Sequence, residues 1–415
     1  MKRNLTLEKI IAELARIVVG GVFLFSGFVK AVDPYGFTYK IQDYLIELNL
    51  IELFPLALPA AVVLVVAEFF LGALLLLGIY RKFTTRLIGL FMIVFTPFTL
   101  WVAINDPVQD CGCFGDALII SNWETFYKNV VLLVGIVFLM IKWRRITPLY
   151  SKNRRFLTAV FVAVFGVVFA LYNIYRLPVF DFRPYKVGEN IQEQMYVDPD
   201  KADVYETVFI YSKEGEEEEF TEENYPWNDS TWVFVDMQTK LVKEGLKPAI
   251  EDFRIDAIYF NEAENSWQVG TEITDILLSD TSYTFIIVAY SLEKMRDKNF
   301  DKILNANNFA STNGYPFYFI TASPANVVGE WENRHQTGFQ FAHSDERVLK
   351  TMIRSNPGLM VLKEGTVINK WGDSRIPSDD YFDNDKRSDL MTLIILAILF
   401  FVPLLIIKLI DRRRI

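Results

Sequence analysis

The stretch AEFFLGALLLLGIYRK, residues 67–82, decides the fold. It closes an apolar run at 56–79 that is long enough to cross a hydrocarbon core of ~30 Å, and a basic turn follows it at once. One carboxylate, Glu68, interrupts the run. Such a group inside a span costs at least ~2.5 kcal/mol unless it is paired or hydrated. The stretch therefore predicts a membrane helix that carries one group in need of a partner.

Similar runs recur along the 415 residues, of which 52% are hydrophobic. We predict six spans, at 10–32, 56–79, 86–104, 124–142, 156–177 and 388–410. We expect the first span to be retained rather than cleaved, because charges interrupt its approach and no small-residue cleavage site follows it. The predicted fold class is a membrane α-helical bundle of four helices at 1–145, two further transmembrane helices, and an α/β domain outside the membrane.

Lysine and arginine clusters predict the orientation of the spans. If the six spans alternate, all clusters fall on one side, which the positive-inside rule makes cytoplasmic. The clusters are Lys2, Arg3 and Lys9; Arg81, Lys82 and Arg86; Lys142, Arg144, Arg145, Lys152, Arg154 and Arg155; and Arg412, Arg413 and Arg414. We thus expect a multi-pass protein of the cell inner membrane, surrounded by lipid, with both termini cytoplasmic and residues 178–387 periplasmic. The net charge of −9, with no basic face, argues against a nucleic-acid partner.

Both cysteines of the chain, Cys111 and Cys113, lie in DCGCFGD, residues 110–116, between the third and fourth spans. The predicted topology places this loop on the outer side, where disulfides form. A Cys-Gly-Cys disulfide closes a very small ring, and strain makes such a bond a good oxidant. We favour redox chemistry here. Inert thiols in a structural turn are the second interpretation, and a metal site is the third, since two cysteines need further ligands to hold zinc.

Charged residues near this loop have competing interpretations. The residues that we predict to bind a cofactor, a quinone, are Glu68, Arg16, Lys30 and Trp101. Glu68 is a candidate for a proton relay or for a hydrogen bond to a quinone head group. The alternative is an ion pair with Arg16, which lies at a similar depth. Lys30, at the outer end of the first span, is positioned to lower a thiol pKa, although we favour an ordinary interfacial lysine.

Three carboxylates and two tryptophans flank the cysteines. Asp106, Asp110 and Asp116 crowd the loop with negative charge, which raises a thiol pKa and opposes Lys30. Trp101 and Trp123 bracket the loop and suit the aromatic belt of a membrane interface. A quinone pocket at Trp101 is the alternative.

The outer region divides into two blocks. At 185–247 we predict a small β-rich segment, with two strands separated by the acid run EGEEEEFTEEN, which we expect to be a solvated loop. At 248–380, a buried strand, a polar helix, a second buried strand and a hairpin predict an α/β domain with a mixed sheet.

The second block resembles peroxiredoxin and thioredoxin-like domains. The resemblance rests on KPAIEDFRI, on the strand that precedes YSLEKM, and on SNPGLMVLKEGTVINKW, where Pro357 matches the cis-proline of those folds. The resemblance also implies a cysteine in the YSLEKM stretch, residues 290–295, and none is present. We therefore expect a redox-inert binding domain, with a groove near Ser291 and Pro357 that takes an extended peptide.

The first ~145 residues resemble the DoxX and MauE group of four-helix membrane proteins. The resemblance rests on ARIVVGGVFLFSGFVKAVDP, on AEFFLGALLLLGIYRK and on the cysteine loop. The matching positions are Arg16, Gly20, Ser26, Gly27, Lys30, Asp33, Pro34, Glu68, Gly72 and Gly78. DoxX relatives imply a link to a quinol oxidase, and MauE relatives imply disulfide formation in an exported dehydrogenase.

Together these features predict a membrane thiol–disulfide oxidoreductase, or a quinone-linked electron carrier, that acts through Cys111 and Cys113. Its partner would be an exported protein client or an envelope complex. The alternative is a non-enzymatic membrane scaffold or interaction module, because the outer domain has no thiol and the chain has no second cysteine pair.

Overall fold

The computed structural model describes residues 7–412 apart from 109, 202, 214, 244 and 383–388. The chain forms two compact units. The helical unit comprises residues 1–183 and 384–415, and the sheet unit comprises residues 184–383. Of the basic residues used to predict the orientation, Lys2, Arg3, Arg413 and Arg414 and the side chain of Arg412 lie outside the described part of the chain.

Six helices of the described chain are long and apolar enough to cross a membrane, and they coincide with the six predicted spans. They are α1, α3, α4, α5, α6 and α12. The α-helices in the described residues are α1 (Leu7–Val32), α2 (Pro34–Glu47), α3 (Phe54–Leu77), α4 (Arg81–Asn105), α5 (Asn122–Ile141), α6 (Lys152–Tyr175), α7 (Ile191–Met195), α8 (Thr274–Ser279), α9 (Phe300–Thr312), α10 (Ala325–His335), α11 (Glu346–Met352) and α12 (Asp389–Arg412).

Two glycines let α1 and α3 cross at close range. A Cβ atom added to Gly27 would lie 2.3 Å from the backbone nitrogen of Phe69, and one added to Gly72 would lie 2.4 Å from that of Leu24. Any side chain at either position would therefore collide with backbone. Small residues at such crossings are typical of membrane helix pairs, in which close backbone packing drives association. The crossing brings the middle of α3 against the last turns of α1.

A short helix follows α1 at the same end of the bundle. Asp33 accepts a hydrogen bond from the backbone nitrogen of Gly36 at 2.9 Å, and Pro34 is the first residue of α2. This cap chemistry begins a new helix where α1 ends.

The end of α6 is fastened to the end of α1. Asn173 Nδ2 donates to the carbonyl oxygen of Ala31 at 2.9 Å, and Asn173 Oδ1 accepts from the backbone nitrogen of Val179 at 3.0 Å. Phe28 stacks on Phe169 with ring centroids 5.3 Å apart. The chain therefore leaves α6 at the end of the bundle where α1 ends.

Two sheets make up the described part of the sheet unit. The small sheet has the order β2-β1-β3 and is antiparallel, and the large sheet has the order β10-β9-β6-β7-β8-β4-β5. Strands β6, β7 and β8 are parallel, and the remaining pairs in the large sheet are antiparallel. The strands are β1 (Val204–Lys213), β2 (Glu216–Thr221), β3 (Val233–Lys243), β4 (Asp256–Asn261), β5 (Ser266–Glu272), β6 (Tyr283–Ala289), β7 (Phe317–Thr321), β8 (Gln340–His343), β9 (Gly358–Lys363) and β10 (Thr366–Gly372).

The large sheet confirms the predicted strand, helix, strand and hairpin. Strand β6 is central, and its Phe285 and Ile287 are fully buried against residues of α9 and α10. The β9–β10 hairpin turns at Glu364 and Gly365, whose φ angles are +49° and +70°. Positive φ at both central residues is the requirement of a tight two-residue hairpin turn.

The acid run of the small sheet corrects one prediction. Glu216–Thr221 is strand β2, paired antiparallel with β1, and not a loop. The side chains of Glu216 to Glu219 are exposed, as predicted. Backbone pairing with β1 satisfies the N–H and C=O groups while water solvates the carboxylates, so the acid composition does not prevent a strand.

Candidate functional site

A buried ion pair joins α1 to α3. Lys30 Nζ lies 2.9 Å from each carboxylate oxygen of Glu68, and the Lys30 side chain is only 5% exposed. The ammonium also lies 4.7 Å from the ring centroid of Phe37 on α2. The pair provides the partner that a carboxylate in the middle of a span requires.

Ser26 links this pair to the cysteine loop. Its hydroxyl oxygen lies 2.8 Å from Glu68 Oε2 and 2.8 Å from the carbonyl oxygen of Cys113. Ser26 precedes Lys30 by four residues, so both side chains lie on one face of α1. A hydroxyl has one proton to donate, and Ser26 therefore shares it between the carboxylate and the loop.

The loop itself holds the two thiols together. Cys111 Sγ and Cys113 Sγ are 3.5 Å apart, and both cysteines are free thiols. Gly112 takes a φ of +66°, and its backbone nitrogen donates to Asp110 Oδ1 at 2.9 Å. Tyr44 Oη on α2 donates to the carbonyl oxygen of Cys111 at 3.1 Å. The loop is thus fixed by its backbone to both α1 and α2.

The two thiols have opposite acidities. The hydrogen bond from Cys111, together with the charges of Lys128 and Lys30, lowers the pKa of Cys113 to about 6, against burial and the charge of Glu68, which raise it. The same hydrogen bond, together with burial and the neighbouring Cys113 charge, raises the pKa of Cys111. The first proton of the pair therefore leaves Cys113, and Cys111 stays a thiol at neutral pH.

The structure corrects the expectation for Arg16. Its guanidinium pairs with Glu13 at 3.0 Å and donates to the carbonyl oxygen of Thr147 at 2.7 Å, so it is not the partner of Glu68. Arg16 lies fourteen residues before Lys30, which is roughly 21 Å along a helix. The prediction put Arg16 and Glu68 at similar depths because each lies at a similar number of residues from the centre of its span. The crossing of α1 and α3 instead brings Glu68 to the depth of Ser26 and Lys30.

Lys30 also differs from the favoured prediction, since it is buried rather than reaching the interface. The predicted crowding of the thiols by carboxylates is offset by partners. Asp110 pairs with Lys40 at 2.7 Å, and Asp106 accepts a hydrogen bond from Asn122 Nδ2 at 2.7 Å. The cations therefore prevail at Cys113.

Trp101 is connected to the site through the ring of Phe98. It stacks on Phe98 at 5.8 Å, and Phe98 meets Tyr44 edge-on at 5.0 Å. Of the four residues predicted to bind a cofactor, Lys30, Glu68 and Trp101 surround the loop region and Arg16 does not. Because Lys30 and Glu68 direct their polar atoms at each other, the four do not fit the head group of a quinone. We therefore assign no quinone step to them.

The two residues predicted to bind a partner lie together in the sheet unit. Asn356 Nδ2 donates to the carbonyl oxygen of Ser291 at 2.8 Å, and the Asn356–Pro357 peptide bond is cis, as predicted. Pro357 is buried, whereas Ser291 is half-buried and bonds Glu293 at 2.8 Å. Ser291 is thus the more accessible of the two.

Several residues of the site were not singled out as site residues from the sequence. They are Ser26, Lys40, Tyr44 and Lys128. Ser26 was noted only as a matching position, although its spacing of four from Lys30 marks a shared helix face. Tyr44 and Lys40 come from α2, whose placement over the loop no local pattern indicates. In the described residues, no group of three or more His, Cys, Asp or Glu side chains is arranged to hold a metal ion.

Comparison with known proteins gives two partial matches. Residues 205–244 match a domain of unknown function, DUF8463, which covers most of the small sheet. No curated protein and no solved structure matches the chain. Residues 8–142 match the family described as Methylamine utilisation protein MauE, over the segment that contains Lys30, Glu68 and the cysteine loop. Together with the six apolar helices, this match indicates a multi-pass membrane protein whose N-terminal helical domain is similar to the MauE family.

Proposed function

We propose that this protein carries out thiol–disulfide exchange through Cys111 and Cys113. The observation that carries the proposal is the 3.5 Å separation of the two sulfur atoms in a loop whose backbone is held by α1 and α2. A small movement brings sulfurs at this distance to a disulfide bond length of ~2.05 Å.

Cys113 is the attacking group in this reaction. Its lowered pKa of about 6 makes it largely a thiolate at neutral pH, and it is half-buried whereas Cys111 is 7% exposed. Cys113 Sγ attacks one sulfur of a client disulfide and forms a Cys113–client bond. The other client sulfur leaves as a thiolate and takes a proton from water.

Cys111 completes the exchange. It gives its proton to water, attacks Cys113 Sγ to form the Cys111–Cys113 bond, and breaks the Cys113–client bond, so that the second client sulfur leaves as a thiolate. The client disulfide has then gained two electrons, and the loop has become the Cys111–Cys113 disulfide. The same steps in reverse oxidise a client dithiol and reduce the loop. The direction therefore depends on whether the loop and the client are in the dithiol or the disulfide form when they meet.

The client proposed for this chemistry is an exported protein. Alternating spans put the loop and residues 178–387 on one side of the membrane, and the basic clusters favour the periplasm for that side. Disulfides form in that compartment. For the sheet unit we propose a thioredoxin-like binding role without catalysis, since residues 290–295, which follow β6, carry no cysteine.

Trapping the intermediate tests the proposal. The purified full-length protein in detergent is mixed with a fluorescent peptide that contains one disulfide. Cys111→Ser should accumulate a covalent peptide adduct on Cys113, because the resolving thiol is missing. Cys113→Ser should not accumulate one, and the double variant is the matched control. Equal adduct in both single variants, or none in either, would contradict the assignment and favour the membrane scaffold.

A further inference from the structure

Three ionisable groups from three elements share one buried cluster at the loop end of α1. Lys30 pairs with Glu68 at 2.9 Å, and Ser26 contacts both Glu68 and the backbone of Cys113 at 2.8 Å. Lys30 and Glu68 are 5% and 8% exposed, so little water reaches them. One cation therefore faces two groups that carry negative charge when ionised.

Burial makes the interactions among these charges strong. Coulomb energies rise as the effective dielectric constant falls, so each charge in the cluster depends on the others. The Lys30 ammonium favours the Cys113 thiolate, and the Glu68 carboxylate opposes it. Because the ammonium is bonded to Glu68, its attraction for the thiolate is partly offset.

We propose that the Lys30–Glu68 pair regulates the cysteine loop, with Lys30 promoting and Glu68 restraining formation of the Cys113 thiolate. The inference rests on the proposed thiol exchange, in which that thiolate attacks. Both are positioning residues, since they act through the charge of Cys113.

The pair can be separated into its two charges by substitution. Replacing Glu68 by glutamine removes the charge that engages Lys30, so the ammonium should then favour the Cys113 thiolate more strongly.

The other charges that face the loop come from α2, α5 and the loop. Lys128 on α5 lies 4.3 Å from the ring centroid of Phe114, and Lys40 on α2 pairs with Asp110 at 2.7 Å. Tyr44 on α2 contacts the backbone of Cys111, and Asp106 and Asp116 flank the loop in the sequence. All of them stay unchanged when Lys30 or Glu68 is replaced, so differences between variants report on the pair.

The test measures the ionisation of Cys113 without any client. In the Cys111→Ser background, where Cys113 is the single thiol, the full-length protein in detergent reacts with iodoacetamide between pH 4.5 and 9. The alkylation rate follows the thiolate. Glu68→Gln should lower the pH of half-maximal rate by at least half a unit, which is about a threefold gain in rate at low pH. Lys30→Met should raise that pH.

A double variant keeps the test decisive if Lys30→Met folds poorly. Lys30→Met with Glu68→Gln leaves no unpaired charge buried, and it should raise the pH of half-maximal rate because the attraction of Lys30 outweighs the repulsion of Glu68. Shifts in the same direction for Glu68→Gln and the double variant, or no shift in either, would overturn the inference. Peptide trapping in the otherwise native chain tests the exchange reaction separately, so the two failures are distinguishable.

Discussion

The helical unit and the sheet unit both have apolar cores, but the helical unit also buries the Lys30–Glu68 ion pair. Val63, Val134 and Phe156 are 67%, 67% and 71% exposed on the outside of the helical unit, while Lys30 and Glu68 are buried within it. In the sheet unit the fully buried side chains of the core are aromatic and aliphatic. Lipid accommodates apolar groups and gives polar ones no hydrogen bonds, whereas water does the reverse.

This difference bears on where the proposed thiol chemistry lies as well as on what stabilises each unit. A span must pair its polar groups inside the bundle, so charges gather where helices cross, and in this chain they gather beneath the cysteine loop. The sheet unit has a large hydrophobic core around β6, which stabilises it by burial. Residues 290–295, which follow β6, carry no thiol.

The largest effect is expected where the helical unit depends on backbone contact. Gly27→Leu should prevent the helical unit from folding, because even a Cβ atom there lies 2.3 Å from the backbone of Phe69. Gly21→Leu is the control on the same helix, since a Cβ at Gly21 has no neighbour within 4 Å. Thermal unfolding in detergent, followed by circular dichroism, compares them. Equal behaviour of the two variants would show that the crossing does not depend on glycine.

Truncation of a buried side chain tests how much the hydrophobic core stabilises the sheet unit. Phe285→Ala should lower the free energy of unfolding of the sheet unit by roughly 4 kcal/mol, because it removes a fully buried ring and leaves a cavity. Phe260→Ala, at a side chain that is 44% exposed, should cost much less. Denaturant unfolding monitored by tryptophan fluorescence gives both values. A small effect at Phe285 would argue against a tightly packed core.

Because Lys30 and Glu68 are buried as a pair, the effects of replacing them on the stability of the helical unit should not be additive. Lys30→Met should destabilise the unit by roughly 3 kcal/mol, because it leaves the Glu68 carboxylate buried without its cation. Adding Glu68→Met should recover most of that loss, since two apolar side chains of similar volume replace the pair. Thermal midpoints in detergent measure the recovery. A double variant less stable than Lys30→Met would mean that Glu68 has another essential partner.

The smallest difference is expected at helix ends. Ser121 accepts a hydrogen bond from the backbone of Glu124 at the start of α5, and Asp345 accepts one from Arg347 at the start of α11. Replacing either cap residue by alanine should cost about 1 kcal/mol. We expect similar values because both helix starts are exposed to solvent. A much larger cost at Ser121, measured by thermal unfolding, would show that this cap also holds the cysteine loop.

Much of the architecture follows from local patterns along the chain. Apolar runs of ~20 residues identify the six spans, since few other structures need them. Alternating burial and turn residues identify the strands around β6 and the turn at Glu364 and Gly365. The acid strand β2 escaped prediction, because its side chains match a loop and only its pairing with β1 makes it a strand.

The candidate site was predictable only in part. The two cysteines and Glu68 stand out because their residue types are rare at those places. The contribution of Tyr44 depends on where α2 lies, and that of Ser26 depends on which face of α1 meets α3. A helical repeat gives the faces of a helix but does not say which neighbour each face contacts.

The sequence by itself determined that Glu68 needs a partner, since a carboxylate in a span is costly alone. It also determined that any thiol chemistry must come from Cys111 and Cys113, the two cysteines of the chain. Only the tertiary structure decided that the partner is Lys30 and not Arg16. The reason is the close crossing at Gly27 and Gly72, which sets the depth at which α1 and α3 meet and so places the ion pair beneath the thiols.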